Sequence, residues 1–172
     1  MNDLDTTELD APAGAAPGPR RIRLVVAVAL AVVVVDQLTK WVALRRLTDG
    51  PVHVIWTLRF NLVRNTGAAF SMGSGRGVGP WISVLALAVV IGLSLGYTSR
   101  LRVGAVAAGL IAGGAVGNLL DRAFRGEGGF MSGAVVDFID LQWWPVWNVA
   151  DASIVVGGLL LAFSALRAEL AP

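Results

Sequence analysis

Trp147-Asn148-Val149-Ala150-Asp151-Ala152-Ser153-Ile154 sets an asparagine and an aspartate at the head of an apolar run that continues to about residue 166. Asn148 and Asp151 are three positions apart, so on a helix they share one face. An ionisable group at or near lipid depth needs a partner or a water-filled cavity, which makes function the first reading of Asp151 and requires a second acidic site. Asp137, just upstream in Val135-Val136-Asp137-Phe138-Ile139-Asp140, is the best-placed candidate.

The rest of the chain says what medium that helix occupies. Of 172 residues, 55% are hydrophobic and only 15% charged, with 21 glycines and no cysteine. That balance is too apolar for an ordinary soluble domain and reads as a membrane protein. The net charge of +2 comes from scattered arginines rather than a basic face, which argues against a nucleic-acid partner. Without Cys there is no disulfide, thiol nucleophile or Cys-ligated metal. The single histidine, His53, excludes HExxH zinc chemistry and reads as a surface loop residue.

Residues 1–19 are rich in Ala, Pro, Gly and acids and are expected to be a disordered tail. Arg20, Arg21 and Arg23 then precede an apolar run over residues 24–35, as in a signal peptide. The small-residue triplet Ala29-Leu30-Ala31 lies inside that run rather than after it, so cleavage is rejected and the segment is kept as an anchor. Extended to residue 44, it is long enough to cross roughly 30 Å of hydrocarbon as a helix. Further spans are expected at about 80–97, 103–120 and 146–166, which puts both termini on one side. Arginines fall on both faces, but the cluster ahead of the first span and the tight Arg100, Arg102 turn favour cytoplasmic termini. Trp41, Trp56, Trp81, Trp143, Trp144 and Trp147 all fall on the opposite side, where an aromatic belt anchors the interface.

The loop over residues 45–79 is too long for a plain connector. Leu58, Phe60 and Leu62 alternate with Arg59, Asn61 and Val63, a period of two that predicts a short strand and a small sheet-like cap on the outer membrane surface. The small residues of Asn65-Thr66-Gly67-Ala68-Ala69-Phe70-Ser71 suit close approach to an extended peptide, and residues 73–79 form a glycine-rich turn.

Asp36 and Lys40 sit four apart and read as a structural ion pair. Gly113 and Gly117 have GxxxG spacing, and Asn118, Asp121 and Arg122 follow within one turn, facing a common cavity or serving as inter-helical glue. Two carboxylates such as Asp137 and Asp151, held close in a partly dry site, cannot both ionise easily, so one becomes a base and the other an acid. Such a pair can activate water against a peptide carbonyl with no metal, cofactor or side-chain nucleophile. The same residue types also fit proton or ion coupling, or purely structural polar packing. A serine–lysine dyad would have to use Lys40, with no serine at a forced spacing to it, and Gly73-Ser74-Gly75 lacks the strand-to-helix context of a nucleophile elbow.

Five motifs in order carry a family resemblance: Asp36-Gln37-Leu38-Thr39-Lys40; Arg64-Asn65-Thr66-Gly67-Ala68-Ala69-Phe70-Ser71; Gly113-Gly114-Ala115-Val116-Gly117-Asn118-Leu119-Leu120-Asp121-Arg122; Val135-Val136-Asp137-Phe138-Ile139; and Asn148-Val149-Ala150-Asp151. Together, over about residues 24–166, the chain resembles the bacterial lipoprotein signal peptidases, or signal peptidase II. The resemblance implies an all-α membrane protein with four transmembrane helices and a small extracytoplasmic β-cradle at about 45–79. It implies a cytoplasmic tail over 1–19, a peptidase domain over 20–168, and multi-pass residence in the bacterial cytoplasmic membrane with both termini cytoplasmic. The implied activity is that of an aspartyl endopeptidase cutting diacylglyceryl-modified prolipoproteins before the lipidated cysteine. Its partners would be those substrates and membrane lipid, its state monomeric, and no cofactor is implied. By motif, the catalytic pair would be Asp137 and Asp151. Asn65 and Arg122 would hold the substrate backbone; Asp36, Lys40, Gly67, Asn118, Asp121, Asn148 and Ala150 would complete the binding and support set. Asp121 competes with Asp137 for the dyad, since both are acidic and both precede Asp151. Two departures from the pattern, a glycine-rich segment over 123–134 and Trp147 where the family has Phe, bear on access to the site. The reading from another class is a small proton- or ion-coupled carrier, against which stand the lack of internal repeats and broken helices. A structural scaffold is a third.

Overall fold

A run of apolar side chains in lipid leaves the backbone one economical solution, a helix that satisfies its own hydrogen bonds. The computed structural model, which describes residues 21–66, 84, 85, 88, 92, 101–126 and 131–169, follows that rule. Helix α1 (Ile22–Arg46) contains neither Gly nor Pro, and its many valines are helical despite their preference for strands. Helix α2 (Arg102–Phe124) and helix α3 (Val149–Glu169) pack on it and on each other. Among the described residues, α1 and α2 are long and apolar enough to cross a membrane. Of the span expected at 80–97, residues 84, 85, 88 and 92 are helical and the others lie outside the described residues. So do the tail over 1–19, the glycine-rich turn over 73–79, Gly67 and Trp81.

Helices this close need small residues between them. A Cβ on Gly113 would sit 2.6 Å from the Cβ of Val32 on α1, and one on Gly117 would sit 2.5 Å from the Asp36 carboxylate. The GxxxG spacing thus does more than join helices, because at Gly117 it admits a charged side chain between them.

The sheet has strands β1 (Val52–Ile55), β2 (Leu58–Asn65) and β3 (Val135–Asp140), antiparallel in that order. The cap expected within 45–79 is therefore completed from outside that range. β3 is almost wholly buried, so its backbone groups must find partners, and the edge of β2 supplies them. His53, expected in a loop, lies in β1 and is exposed, with its Nε2 2.8 Å from the carbonyl oxygen of Trp56.

The simple alternation expected along β2 breaks in its middle. Phe60 pairs with Ile139 and Val63 with Asp137, three steps on β2 against two on β3, so one extra residue is bulged out. A one-residue slip exchanges the faces of a strand. Beyond the bulge, Val63 and Asn65 share the face of Asp137; an unbroken register would have put Arg64 there.

α3 starts at Val149, three residues later than expected, because the preceding chain is still held by the sheet. Trp147 bridges to Ile139, donating its N–H to the Ile139 oxygen at 3.1 Å and accepting from the Phe138 and Ile139 N–H groups at 3.1 and 2.9 Å. Ala43, Leu47 and Phe138 form a buried apolar cluster beneath, with Leu62, Ile139 and Val149 against it.

Candidate active site

The Trp147 bridge places Asn148 beside Asp137 and at the N-cap of α3. There Asn148 and Asp151 form a capping box. The Asn148 Oδ1 accepts the Asp151 N–H at 3.0 Å, and the Asp151 Oδ2 faces the Asn148 N–H at 3.4 Å. The three-residue spacing that singled out this pair is thus the spacing of a helix start. Its other half is the Asn148 amide, which donates to the Asp137 Oδ1 at 2.6 Å and to the Asn118 Oδ1 at 3.2 Å. Asn148 is fully buried and contacts both aspartates.

Asn65 donates to the other oxygen of Asp137 at 3.0 Å, from the position set by the bulge in β2. Asn118 donates to Asp151 at 2.8 Å. All these side-chain donors are neutral amides. Two buried cations stand nearby, Lys40 on α1 and Arg122 on α2, and the charge of each acts on both Asp137 and Asp151; Arg122 also donates to the Asn118 carbonyl oxygen at 3.4 Å. Burial first, and the Asp151 charge second, push the Asp137 carboxyl up to about 7.

Behind this pair lies a second acidic cluster. Lys40 is fully buried and donates to Asp36 at 2.9 Å, Asp121 at 2.8 Å and the Asn118 Oδ1 at 3.0 Å, using all three ammonium hydrogens. The contact to Asn118 fixes which way that amide points, so its NH₂ faces Asp151. The Asp36 Oδ1 accepts the Ala150 N–H at 3.0 Å, satisfying a donor in the first turn of α3. Asp121 accepts from Lys40, from Arg125 at 2.6 Å, from Gln37 at 3.2 Å and from the Val136 N–H at 3.1 Å. Its carboxylate therefore binds β3 to α2 one residue before Asp137.

The expected residues Asp36, Lys40, Asn65, Asn118, Asp121, Arg122, Asp137, Asn148, Ala150 and Asp151 converge on one region, while Gly67 lies outside the described residues. Gln37 and Arg125 were not anticipated. Arg125 stands four residues after Asp121, a spacing that would have revealed it, and it also donates to the Gln37 Oε1 at 3.0 Å. Nothing in the sequence links Gln37 to α2. Asp140 was likewise missed as a clasp: it accepts from Arg59 at 2.7 Å, Asn61 at 3.0 Å and the Gln142 N–H at 2.7 Å. Although its burial acts to raise the Asp140 carboxyl, these partners hold it below the usual carboxylate range. A groove lined by Trp144, Trp147, Ala152, Val155 and Val156 opens beside Asp151.

Fold and site together define a membrane enzyme, a peptidase of the aspartic type. The family model described as signal peptidase (SPase) II matches residues 28–167, and the chain belongs to that family. It is 46% identical over 149 residues to a lipoprotein signal peptidase of Mycobacterium avium (strain 104), covering 83% of this chain and 79% of that one. To the protein of that name in Rhodococcus jostii it is 44% identical over 168 residues, covering 92% of this chain and 82% of the other. Among solved structures it resembles a bacterial membrane enzyme determined in meso at 2.3 Å, with TM-score 0.77 and 28% identity over 89% of this chain and 93% of that one. A second in meso bacterial membrane enzyme, at 1.9 Å, gives TM-score 0.71 and 27% identity over 88% of this chain and 97% of that one.

Proposed function

We propose that this chain removes the signal peptide from diacylglyceryl-modified prolipoproteins, cutting before the lipidated cysteine, with Asp137 and Asp151 activating water. The observation that carries the reading is that both carboxylates are held around buried Asn148, close enough for the charge of Asp151 to act on Asp137. Ionising both is unfavourable in that setting, and one proton is retained by the pair. Asp137, raised to about 7, is the acid; Asp151 is the base. Asp151 takes a proton from water as the oxygen attacks the peptide carbonyl carbon, and Asp137 gives its proton to the carbonyl oxygen. When the gem-diol collapses, Asp151 passes its proton to the departing cysteine nitrogen and Asp137 recovers one from a diol hydroxyl. The carbon–nitrogen bond breaks, leaving a carboxyl terminus on the signal peptide and a free amine on the lipidated cysteine.

Arg122 and Asn65 hold the substrate backbone in this reading, and Asp36, Lys40, Gly67, Asn118, Asp121, Asn148 and Ala150 bind or support. The apolar groove beside Asp151 suits a substrate with lipid or signal-helix surface. The full architecture proposed is a monomer with four transmembrane helices, a tail over 1–19 and the peptidase domain over 20–168. Both termini are cytoplasmic and the site faces the extracytoplasmic side. Anchored by its lipid on one side and its signal helix on the other, a substrate meets the dyad at the membrane surface, so positioning supplies much of the rate.

The test is cleavage of a diacylglyceryl-modified prolipoprotein peptide by the purified protein. Turnover by wild type and its loss in Asp137→Asn and Asp151→Asn are expected. No cleavage by folded wild-type protein would overturn the peptidase reading in favour of a carrier.

A further inference from the structure

The last turns of α1 and the sheet beside them border an open apolar cavity of about 410 Å³, within the range of small-ligand sites of roughly 300–1,000 Å³. Leu38, Val42 and Leu47 wall it on the helix side, and Val52, Phe60 and Phe138 on the sheet side. Thr39 also lines it, but its hydroxyl is donated to the Val35 and Asp36 carbonyl oxygens at 2.9 Å each, so among the described residues the wall presents no free hydroxyl donor. Among the described residues this cavity shares no lining residue with the groove beside Asp151.

Among the described residues one charged side chain borders it, that of Arg46. Arg45 lies 4.6 Å over the Trp41 ring, and an adjoining concavity is formed by Trp41, Val42, Arg45 and Arg46. Among the described residues, neither arginine has a carboxylate at ion-pair distance. Two exposed guanidinium groups, a tryptophan and an apolar cavity therefore adjoin at the end of a helix long and apolar enough to cross a membrane. Water alone is a poor occupant for so apolar a space. Guanidinium groups at interface depth select phosphate, which they bind through paired N–H groups. Charge and apolarity together specify one occupant, a lipid with an anionic head and an alkyl chain.

We propose that this end of α1 and the sheet form a binding site for an anionic phospholipid, one acyl chain in the cavity and the phosphate on Arg46 and Arg45. The bound chain bridges α1 to β1, β2 and β3, so it stabilises the sheet's seat on the helix by mass action. The site stands whether or not the dyad cleaves a lipidated peptide.

The experiment uses the full chain in neutral detergent, with lipid retention read by native mass spectrometry and thermal unfolding measured alongside. Phosphatidylglycerol and phosphatidylcholine with identical chains are compared. Each arginine near an anionic surface contributes roughly a fivefold preference, so wild type should retain phosphatidylglycerol about 30-fold over phosphatidylcholine, with a rise in Tm. Arg46→Ala should lose about fivefold of that preference, and Arg45→Ala/Arg46→Ala nearly all of it. Arg46→Gln, neutral and of similar length, should lose the same fivefold, which decides the matter if an alanine variant fails to fold. Val52→Trp, at a half-exposed position on the cavity wall, should reduce retention of both lipids. Equal retention of the two lipids by wild type, or a full preference surviving in the double variant, overturns the proposal. So does a Tm rise reproduced by glycerol phosphate alone, which would make the site one for free phosphate.

Discussion

Two groups of buried carboxylates stand side by side in this molecule and differ in what neutralises them. Asp36 and Asp121 share the Lys40 ammonium, and Asp121 has Arg125 as well, so charge meets charge at 2.6–2.9 Å. Asp137 and Asp151 are hydrogen-bonded by Asn65, Asn118 and Asn148, which orient the carboxylates without cancelling their charge. The first group is chemically saturated and binds three helices and a strand into one frame. The second is held in position with its protonation still open, as an acid–base pair requires. On the proposed assignment, burial alone does not make a carboxylate reactive; what differs is whether a cation bonds it directly, as in the first group, or amides hold it, as in the second.

Swapping Asp for Asn should divide the groups most sharply. Asp137→Asn and Asp151→Asn should each lower cleavage of the lipidated peptide by about 10³-fold while the protein stays folded. Asp121→Asn should keep part of the activity and lose stability. Normal cleavage by Asp137→Asn together with a dead but stable Asp121→Asn would invert the assignment. Removing the shared cation comes next. Lys40→Met leaves Asp36 and Asp121 buried without their common partner, which should destabilise the fold by about 3–5 kcal/mol in thermal or SDS unfolding. An unchanged unfolding midpoint would show that the frame does not depend on that charge.

The pH dependence sharpens the contrast. Because the folded state raises Asp137 to about 7, it binds a proton there that the unfolded chain has already released. Stability from this group is thus full below the ordinary carboxylate range and is lost as pH rises through about 7. Wild type should lose a few kcal/mol across that window, and Asp137→Asn should lose less. Parallel stability curves for the two proteins would remove Asp137 as the titrating group. Activity should fall on the alkaline side as Asp137 loses its proton. Asn65→Ala removes a donor that favours the ionised form, so it should move that limb to higher pH; a move downward contradicts the hydrogen-bond scheme. Smallest of all, Arg59→Ala removes a half-exposed partner of Asp140 and should cost well under ~1 kcal/mol, measurable by the same unfolding assay.

Much of the site was legible in the chain because its spacings are local. The Asn148–Asp151 capping box, the Asp36–Lys40 pair and the Gly113–Gly117 approach all follow helical periodicity, which is written in neighbouring residues. Gln37 was not legible, since its partners on α2 lie 80 and 84 positions away in the chain. The strand β3 was read only as a source of Asp137. Its role in the sheet depends on β2, and the bulge that brings Asn65 rather than Arg64 to Asp137 leaves no mark in a simple alternation.

The sequence by itself determined the apolar helices, the acids at their ends and, through its motif order, the family. Apolar length and helical spacing are local properties that hold wherever the chain is placed. Helical spacing already set Lys40 beside Asp36 and Arg125 beside Asp121; tertiary structure added the Lys40 contact to Asp121 and brought the amides of Asn65, Asn118 and Asn148 to Asp137 and Asp151. Those added contacts depend on donors brought from α1, α2, β2 and the turn before α3 into one dry volume, where a difference of one partner sets whether a carboxylate holds the fold together or exchanges a proton.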